Sequence, residues 1–290
     1  MRKPSDPAFR WTAVPLIAAL LAIVFGGAVF YKFQENRQRR QVEASLAAIA
    51  RLKADQIAAW RAERIGDARV IMDRQTLIND INDYFTRPEE AGERAIKRRL
   101  ETLKTSYRYA NILLVDPDGR VRLSLNGHDV IDHTGFTDAL TASLRDHKPV
   151  FTDLHTEKND PAPHISVIAP LFSEDEPLRP VGAAVLISNA MDFLFPLIQS
   201  WPVPSRSSET LLVRRDGDHV LFLNDLRHMP DTALRLRIPV SRADLPAAMA
   251  VLGRQGVVAG KDYRGVEVLS VVLPVPDSPW FIVSKIDADE

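Results

Sequence analysis

Hydrophobic and polar positions change their pattern twice along the chain. From Trp11 to Tyr31 (WTAVPLIAALLAIVFGGAVFY) there are 21 residues without a charge, flanked by Arg10 and Lys32. A helix needs about 20 apolar residues to cross the hydrocarbon core, and Trp11 and Tyr31 stand where interfacial aromatics belong. From residue 33 to 75 apolar positions return at three-to-four spacing (Val42, Leu46, Ile49, Ile57, Trp60), with a break at Lys53. That period predicts one long amphipathic helix. Residues 76–108 continue as helix, broken at Arg87-Pro88, with Ile96, Leu100 and Leu103 at helical spacing. Beyond that the pattern shortens to the alternation of strands.

The strand region repeats itself. LLVDPDGRVRLSLN (113–126) aligns without gaps with LLVRRDGDHVLFLN (211–224), and eight of the fourteen positions match. Each copy reads as strand, Asp-Gly turn, strand. Each is followed by a helical stretch, at Gly135–Asp146 and Ser241–Leu252, and then by a short strand, at Pro149–Leu154 and Gly256–Ala259. A second hairpin closes each copy, over 165–188 and 266–287, and Met191–Trp201 bridges the two. The expected fold class is α+β: a transmembrane helix, a long stalk helix and two tandem lobes with antiparallel sheets.

Composition narrows the function. The net charge of −1 gives no attraction to nucleic acid. The chain has no cysteine, which excludes disulfides, zinc-thiolate sites and cysteine nucleophiles. There is no GxSxG elbow, no HExxH and no P-loop, so neither an enzyme nor a cofactor is expected. The apolar segment is long for a cleaved signal peptide and lacks a small-x-small site before a polar start, so it is read as an uncleaved anchor. Lys32, Arg37, Arg39 and Arg40 outnumber Arg2, Lys3 and Arg10. Counted locally, that balance would keep the large domain in the cytoplasm, although long domains cross largely regardless of charge.

An anchor, a stalk helix and two small α+β lobes resemble the double Cache sensor domain, the PAS-like extracytoplasmic ligand-binding module of bacterial receptors. The stretches IAAWRAERIGDARV (57–70), PLIQSWPVPSRSSETLLVRRDGDHVLFLNDLRH (196–228) and KDYRGVEVL (261–269) look like the input half of a membrane histidine kinase or diguanylate cyclase. The resemblance covers about residues 33–290 and implies a periplasmic domain on a single-pass inner-membrane anchor. It implies a cytoplasmic tail at 1–10, the span at 11–31 and a stalk and helical segment at 32–108. A membrane-distal lobe at 109–190 and a membrane-proximal lobe at 191–290 complete the expected division. Family receptors carry a second membrane helix and an output domain after the second lobe. Here neither follows before Glu290, which is expected to mark a truncated sensor or a one-span receptor working through a partner.

In PAS-like lobes the ligand lies between the sheet and its helix-loop cover. The polar set of the distal lobe supplies the candidates: Tyr107, Tyr109, Arg122, Asp153, His155, His164 and Ser166. Aromatics would wall the ligand, Arg122 would hold a carboxylate bidentately and Asp153 would hold an amine. The expected partners are an amino acid, carboxylate or amine, the membrane, and a second copy through the stalk helix. The run HDVIDH (128–133) offers His and Asp at a spacing that matches no metal motif and reads as a polar loop. Asp225, Arg227 and His228 are placed to pair with Asp262 or Arg264 in a structural network, and Trp280 and Phe281 read as ordinary core. The rival reading is an anchored interaction module without a ligand.

Overall fold

In the computed structural model of the chain, the stripe at three-to-four spacing becomes the buried face of a single helix, α1 (Pro7–Met72). The structure describes residues 7–127, 131, 135–157, 160–174, 178–202 and 204–290, without the side chains of 7–19, 157, 160 and 161. Its Ala-, Arg-, Glu- and Gln-rich composition favours helix throughout. Leu46, Ala50, Ala54, Ile57 and Trp60 enter one core cluster, and Ala68 and Ile71 enter a second.

Helices α2 (Gln75–Thr86) and α3 (Glu90–Tyr107) flank the break at Arg87-Pro88. Arg108 ends α3 in the left-handed region, at φ 58°, while the Tyr109 amide donates to the Lys104 carbonyl at 3.0 Å. Glycine is the usual residue there.

The first sheet is built from β1 (Asn111–Val115), β2 (Val121–Ser124), β3 (Val150–Phe151), β4 (His155–Glu157), β5 (Asp160–Phe172) and β6 (Pro180–Asn189). Its order is β2-β1-β6-β5-β3, with β4 on β5. Helix α4 (Phe136–Asp146) follows the first hairpin. Helix α5 (Leu194–Gln199) lies between the sheets.

The second sheet uses β7 (Glu209–Asp216), β8 (His219–Phe222), β9 (Arg237–Pro239), β10 (Gly256–Lys261), β11 (Glu267–Pro274) and β12 (Trp280–Asp287), with α6 (Pro246–Val251). Read from β8, its order β8-β7-β12-β11-β10 matches the first sheet strand for strand, and β9 adds an edge. The helix expected over Ser241–Leu252 is shortened to α6, because Pro246 opens it at its first position. The strand expected over Pro149–Leu154 narrows to β3, beyond which Asp153 and Leu154 leave the ladder.

Strand alternation gives each sheet two faces. One face of each packs toward α1: Ile165 of the first sheet, with Leu154 between β3 and β4, shares a cluster with Leu212, Val271 and Ile282 from the second. On the opposite face of the first sheet, Leu113, Val115, Ile168, Ala183 and Val185 meet Phe136 and Leu140 of α4. On the opposite face of the second, Leu211, Val213, Val272 and Val283 meet Ala247, Ala248 and Val251 of α6.

Helix α1 runs unbroken through the predicted span, and large apolar side chains from Leu20 to Phe33 stand uncovered, with Phe25 72% exposed. Among the described residues no helix is long and apolar enough to cross a membrane. The side chains of residues 11–19, nearly half of the predicted span, lie outside that description.

Candidate ligand-binding site

The face of the first sheet under α4 is apolar at one end and polar at the other. Register sets Asn111 beside Ile187 and Ser166 beside Ile187, so all three lie on that face. Ser124 stands beside Leu113 on β2, and His164 pairs across β5–β6 with Asn189. Ser166, His164 and Asn111 are 1%, 5% and 5% exposed. Burying polar groups costs free energy unless they are hydrogen-bonded. The Asn111 side chain meets that cost locally: its amide donates to Ser124 Oγ at 3.3 Å, and its carbonyl accepts from the Ile112 and Asn126 amides. Ile131, between β2 and α4 in the chain, packs against the apolar cluster of this face. Apart from Ile131, the run His128–His133 lies outside the described residues. Among the described residues no three His, Asp or Glu side chains gather as metal ligands.

The seven predicted site residues do not converge on one cavity. His164 and Ser166 lie on the covered face. Tyr107 is 38% exposed at the end of α3, and its carbonyl accepts from Arg64 Nη1 at 3.0 Å. Tyr109 is buried on the α1 side, where its hydroxyl donates to Asp67 Oδ2 at 2.7 Å. Burial, and then that hydrogen bond, push its phenol above the ordinary range. Arg122 donates to the Phe85 carbonyl at 3.0 Å, with its guanidinium 5.0 Å from the Phe85 ring centroid. His155 directs its Nδ1–H to the Asp153 carbonyl at 2.9 Å.

Asp153 turns to the second lobe. Its Oδ2 lies 2.8 Å from Arg214 Nε, and its Oδ1 accepts from Trp280 Nε1 at 2.8 Å. Trp280 is therefore more than an ordinary core residue. Between the lobes, Arg61 of α1 lies 4.2 Å from the Phe151 ring and 5.0 Å from the Trp280 ring, and donates to the Asp277 carbonyl at 3.0 Å. Burial lowers the Arg61 pKa, and Asp153 and Asp277 partly oppose it. Nearby, Trp60, Glu63, Arg64, Tyr107, Asp192 and Phe193 line a cavity of about 300 Å³.

Two arrangements escape the sequence patterns. Lys53, the break in the stripe, reaches the C-terminal end of α5 and donates to the carbonyls of Leu197 (3.0 Å), Ile198 (2.5 Å) and Ser200. Helix ends leave such carbonyls without intrahelical partners, and a cation there also meets the helix dipole. In the second lobe, Lys285 lies between Glu209 and Asp262. A charged residue in the buried phase of both β7 and β12 was the available signal. Asp225 and Arg227 do not pair with Asp262 or Arg264. Asp225 accepts from the Thr232 and Ala233 amides, and Arg227 donates to the Ser208 and Ser205 carbonyls.

Two tandem antiparallel sheets, each with its own cover helix and both backed by one helix, define a double α+β architecture. The family model described as Cache domain, in its double form, matches residues 34–290, and the chain belongs to that family. The fold is similar to the ligand-binding domain of the Pseudomonas fluorescens chemoreceptor CtaA in complex with L-serine. That pair shares 16% identity over 87% of this chain and 100% of the other, with a TM-score of 0.56. It is also similar to the ligand-binding domain of the Pseudomonas aeruginosa amino acid chemoreceptor PctC in complex with GABA (18% identity, 85% and 100% coverage, TM-score 0.53). The sensory domain of the Campylobacter jejuni chemoreceptor Tlp3 gives 14% identity, 89% and 98% coverage and a TM-score of 0.61. Among curated proteins nothing matches significantly.

Proposed function

We propose that the protein is a membrane-anchored extracytoplasmic sensor whose first lobe binds an amino acid or a related small amine or carboxylate. The observation that carries this reading is the buried polar end, Asn111, His164 and Ser166, of an otherwise apolar covered sheet face. Ligand sites are mostly apolar with a few placed polar groups, and this end combines both. Solved domains of the same fold hold L-serine and GABA, which supports the ligand class.

In this reading residues 11–31 anchor α1 in the membrane and the sheets stand in the periplasm. Residues 109–190 and 191–290 form the distal and proximal lobes, and the chain acts by binding rather than catalysis. The uncovered apolar side chains of Leu20–Phe33 support the anchor. A groove of about 480 Å³ along α1, with Val42, Leu46, Ile49, Trp201 and Ile286 in its lining, supports a dimer through the stalk. Of the seven candidates, His164 and Ser166 belong to the ligand site. Asp153 and Tyr109 tie the lobes and the stalk together. A ligand would act by binding one arrangement of sheet and cover more tightly than another.

The test is a thermal-shift screen of the detergent-solubilised chain against amino acids, GABA, small carboxylates and amines. A specific ligand raises Tm with concentration over its Kd. The reading expects a response that His164→Ala or Ser166→Leu removes and Tyr107→Ala keeps. A flat screen on folded protein overturns it.

A further inference from the structure

The two lobes share an address. In the first, Asn111 on β1 pairs with Ile187 on β6, which pairs with Ser166 on β5. In the second, Glu209 on β7 pairs with Lys285 on β12, which pairs with Ser270 on β11. The spacing from Asn111 to Glu209 and from Ile187 to Lys285 is the one that relates the two hairpin repeats. Both triplets lie on the face under the cover helix. The first is uncharged, whereas the second holds a complete ion-pair cluster.

That cluster has the composition of an amine-recognition site. Lys285 Nζ lies 3.0 Å from Glu209 Oε2 and 2.9 Å from Asp262 Oδ2. The Tyr263 ring centroid is 5.2 Å away, within the range at which a ring face attracts a cation. Lys285 and Asp262 are 1% exposed and Glu209 6%.

The carboxylates are also held by groups other than the ammonium. Glu209 accepts from the Arg227 amide at 2.6 Å and from the Tyr263 hydroxyl at 2.9 Å. Asp262 accepts from the Arg264 amide at 2.8 Å and from Arg264 Nε at 2.7 Å. The receiving site therefore keeps its shape from its own frame. Ser270 Oγ, fully buried beside Lys285, has no hydrogen-bond partner among the described residues. A strand-pairing device alone would not need this frame, and buried ion pairs add little net stability over apolar replacements.

We propose that the second lobe contains an alkylammonium subsite at the address that the first lobe offers to its ligand, and that Lys285 fills it as an internal ligand. This lobe is thereby fixed in an occupied state and relays rather than senses. The equivalence of the two addresses rests on the reading of the first lobe as the ligand site, whereas the subsite itself rests on the cluster alone.

Lys285→Ala removes three methylenes and the ammonium, which is n-propylammonium. The full detergent-solubilised chain carrying this substitution is expected to melt below the native chain. It is expected to regain Tm saturably with n-propylammonium chloride, but not with 1-propanol or with sodium chloride at equal ionic strength. The native chain and Lys285→Ala/Glu209→Gln/Asp262→Asn should show no such gain. If Lys285→Ala does not fold alone, refolding in n-propylammonium has to restore it. Absence of ammonium-specific rescue in either form overturns the proposal, as does a Lys285→Met variant as stable as the native chain. Failed rescue with an intact amino-acid response removes this inference only. Rescue without an amino-acid response removes the first-lobe reading and leaves the subsite standing.

Discussion

The indole N–H of Trp280 donates to Asp153 Oδ1 at 2.8 Å and so joins the last strand of the second sheet to the first lobe. The same carboxylate meets Arg214 of β7 at 2.8 Å through its other oxygen. One side chain therefore connects one lobe to two strands of the other. Asp153→Ala should destabilise the chain by about 1–3 kcal/mol, because it leaves the indole N–H unpaired and leaves the partly buried Arg214 guanidinium with Asp216 as its remaining carboxylate. Trp280→Phe should cost less through this bond but add the loss of packed area. A double-mutant cycle of the two by chemical denaturation should return a coupling of about 0.5–3 kcal/mol. Additive single effects would remove Asp153 from the joint.

Lys53 gives a pH dependence with a definite sign. Burial lowers its pKa from 10.5 to about 8, so the folded chain releases this proton more readily than the unfolded one. Below pH 8 both states carry the charge and the desolvation cost is fully present. As pH rises from about 8 toward 10.5 the unfolded state binds more protons, and stability contributed by this group increases. Lys53→Met should flatten that part of the stability profile. A Lys53 ammonium titrating near 10.5 by NMR would contradict the expectation.

Tyr109 binds the start of the first sheet to α1 through Asp67, which also lies 3.3 Å from Arg64 Nη2. Tyr109→Phe keeps the ring and leaves the Asp67 carboxylate one donor short. A loss of about 1–2 kcal/mol in urea denaturation is expected, with no change in any amino-acid response. A lost response would return Tyr109 to the ligand site.

Two glycines should respond oppositely to alanine. Gly182 of β6 has φ +149°, and a Cβ there would come within 2.1 Å of the Val115 carbonyl. Sheet backbone cannot yield by that much, so Gly182→Ala should lower Tm strongly or prevent folding. Gly66 lies within α1, with nothing within 4 Å of a Cβ. There Gly66→Ala should stabilise by up to about 1 kcal/mol. Equal effects at the two sites would contradict the close approach at Val115.

Much of the fold was legible because its signals are local. The stripe Leu46–Trp60, the Asp-Gly turns at 118–119 and 216–217 and the matched hairpins each follow from nearby residues. Polar contacts over long sequence separation were not legible. Nothing around Lys53 points to carbonyls of α5, and nothing around Asp153 points to Trp280. Asp153 and Tyr109 were expected to face a ligand, and the structure gives them Trp280, Arg214 and Asp67 as partners instead. The identity of a partner depends on which sheet face and which lobe the side chain meets. Strand alternation places Ser166 and His164 together on the covered face. Lys285 and Glu209 carried the same signal in the second lobe, where a charge in the buried phase of a strand implies an opposite charge across the ladder.

Helix α1 has one further mechanical consequence. Around Trp60 it meets both sheets, the Arg61 stack and the Arg64–Tyr107 contact. The helix then continues to Pro7 without interruption. Its packed stretch reaches Leu46, and at 1.5 Å per residue the arm from there to Pro7 is about 59 Å long. Leu46 is therefore the fulcrum of a lever with a long arm, and a tilt of about one degree there carries the far end through about 1.0 Å.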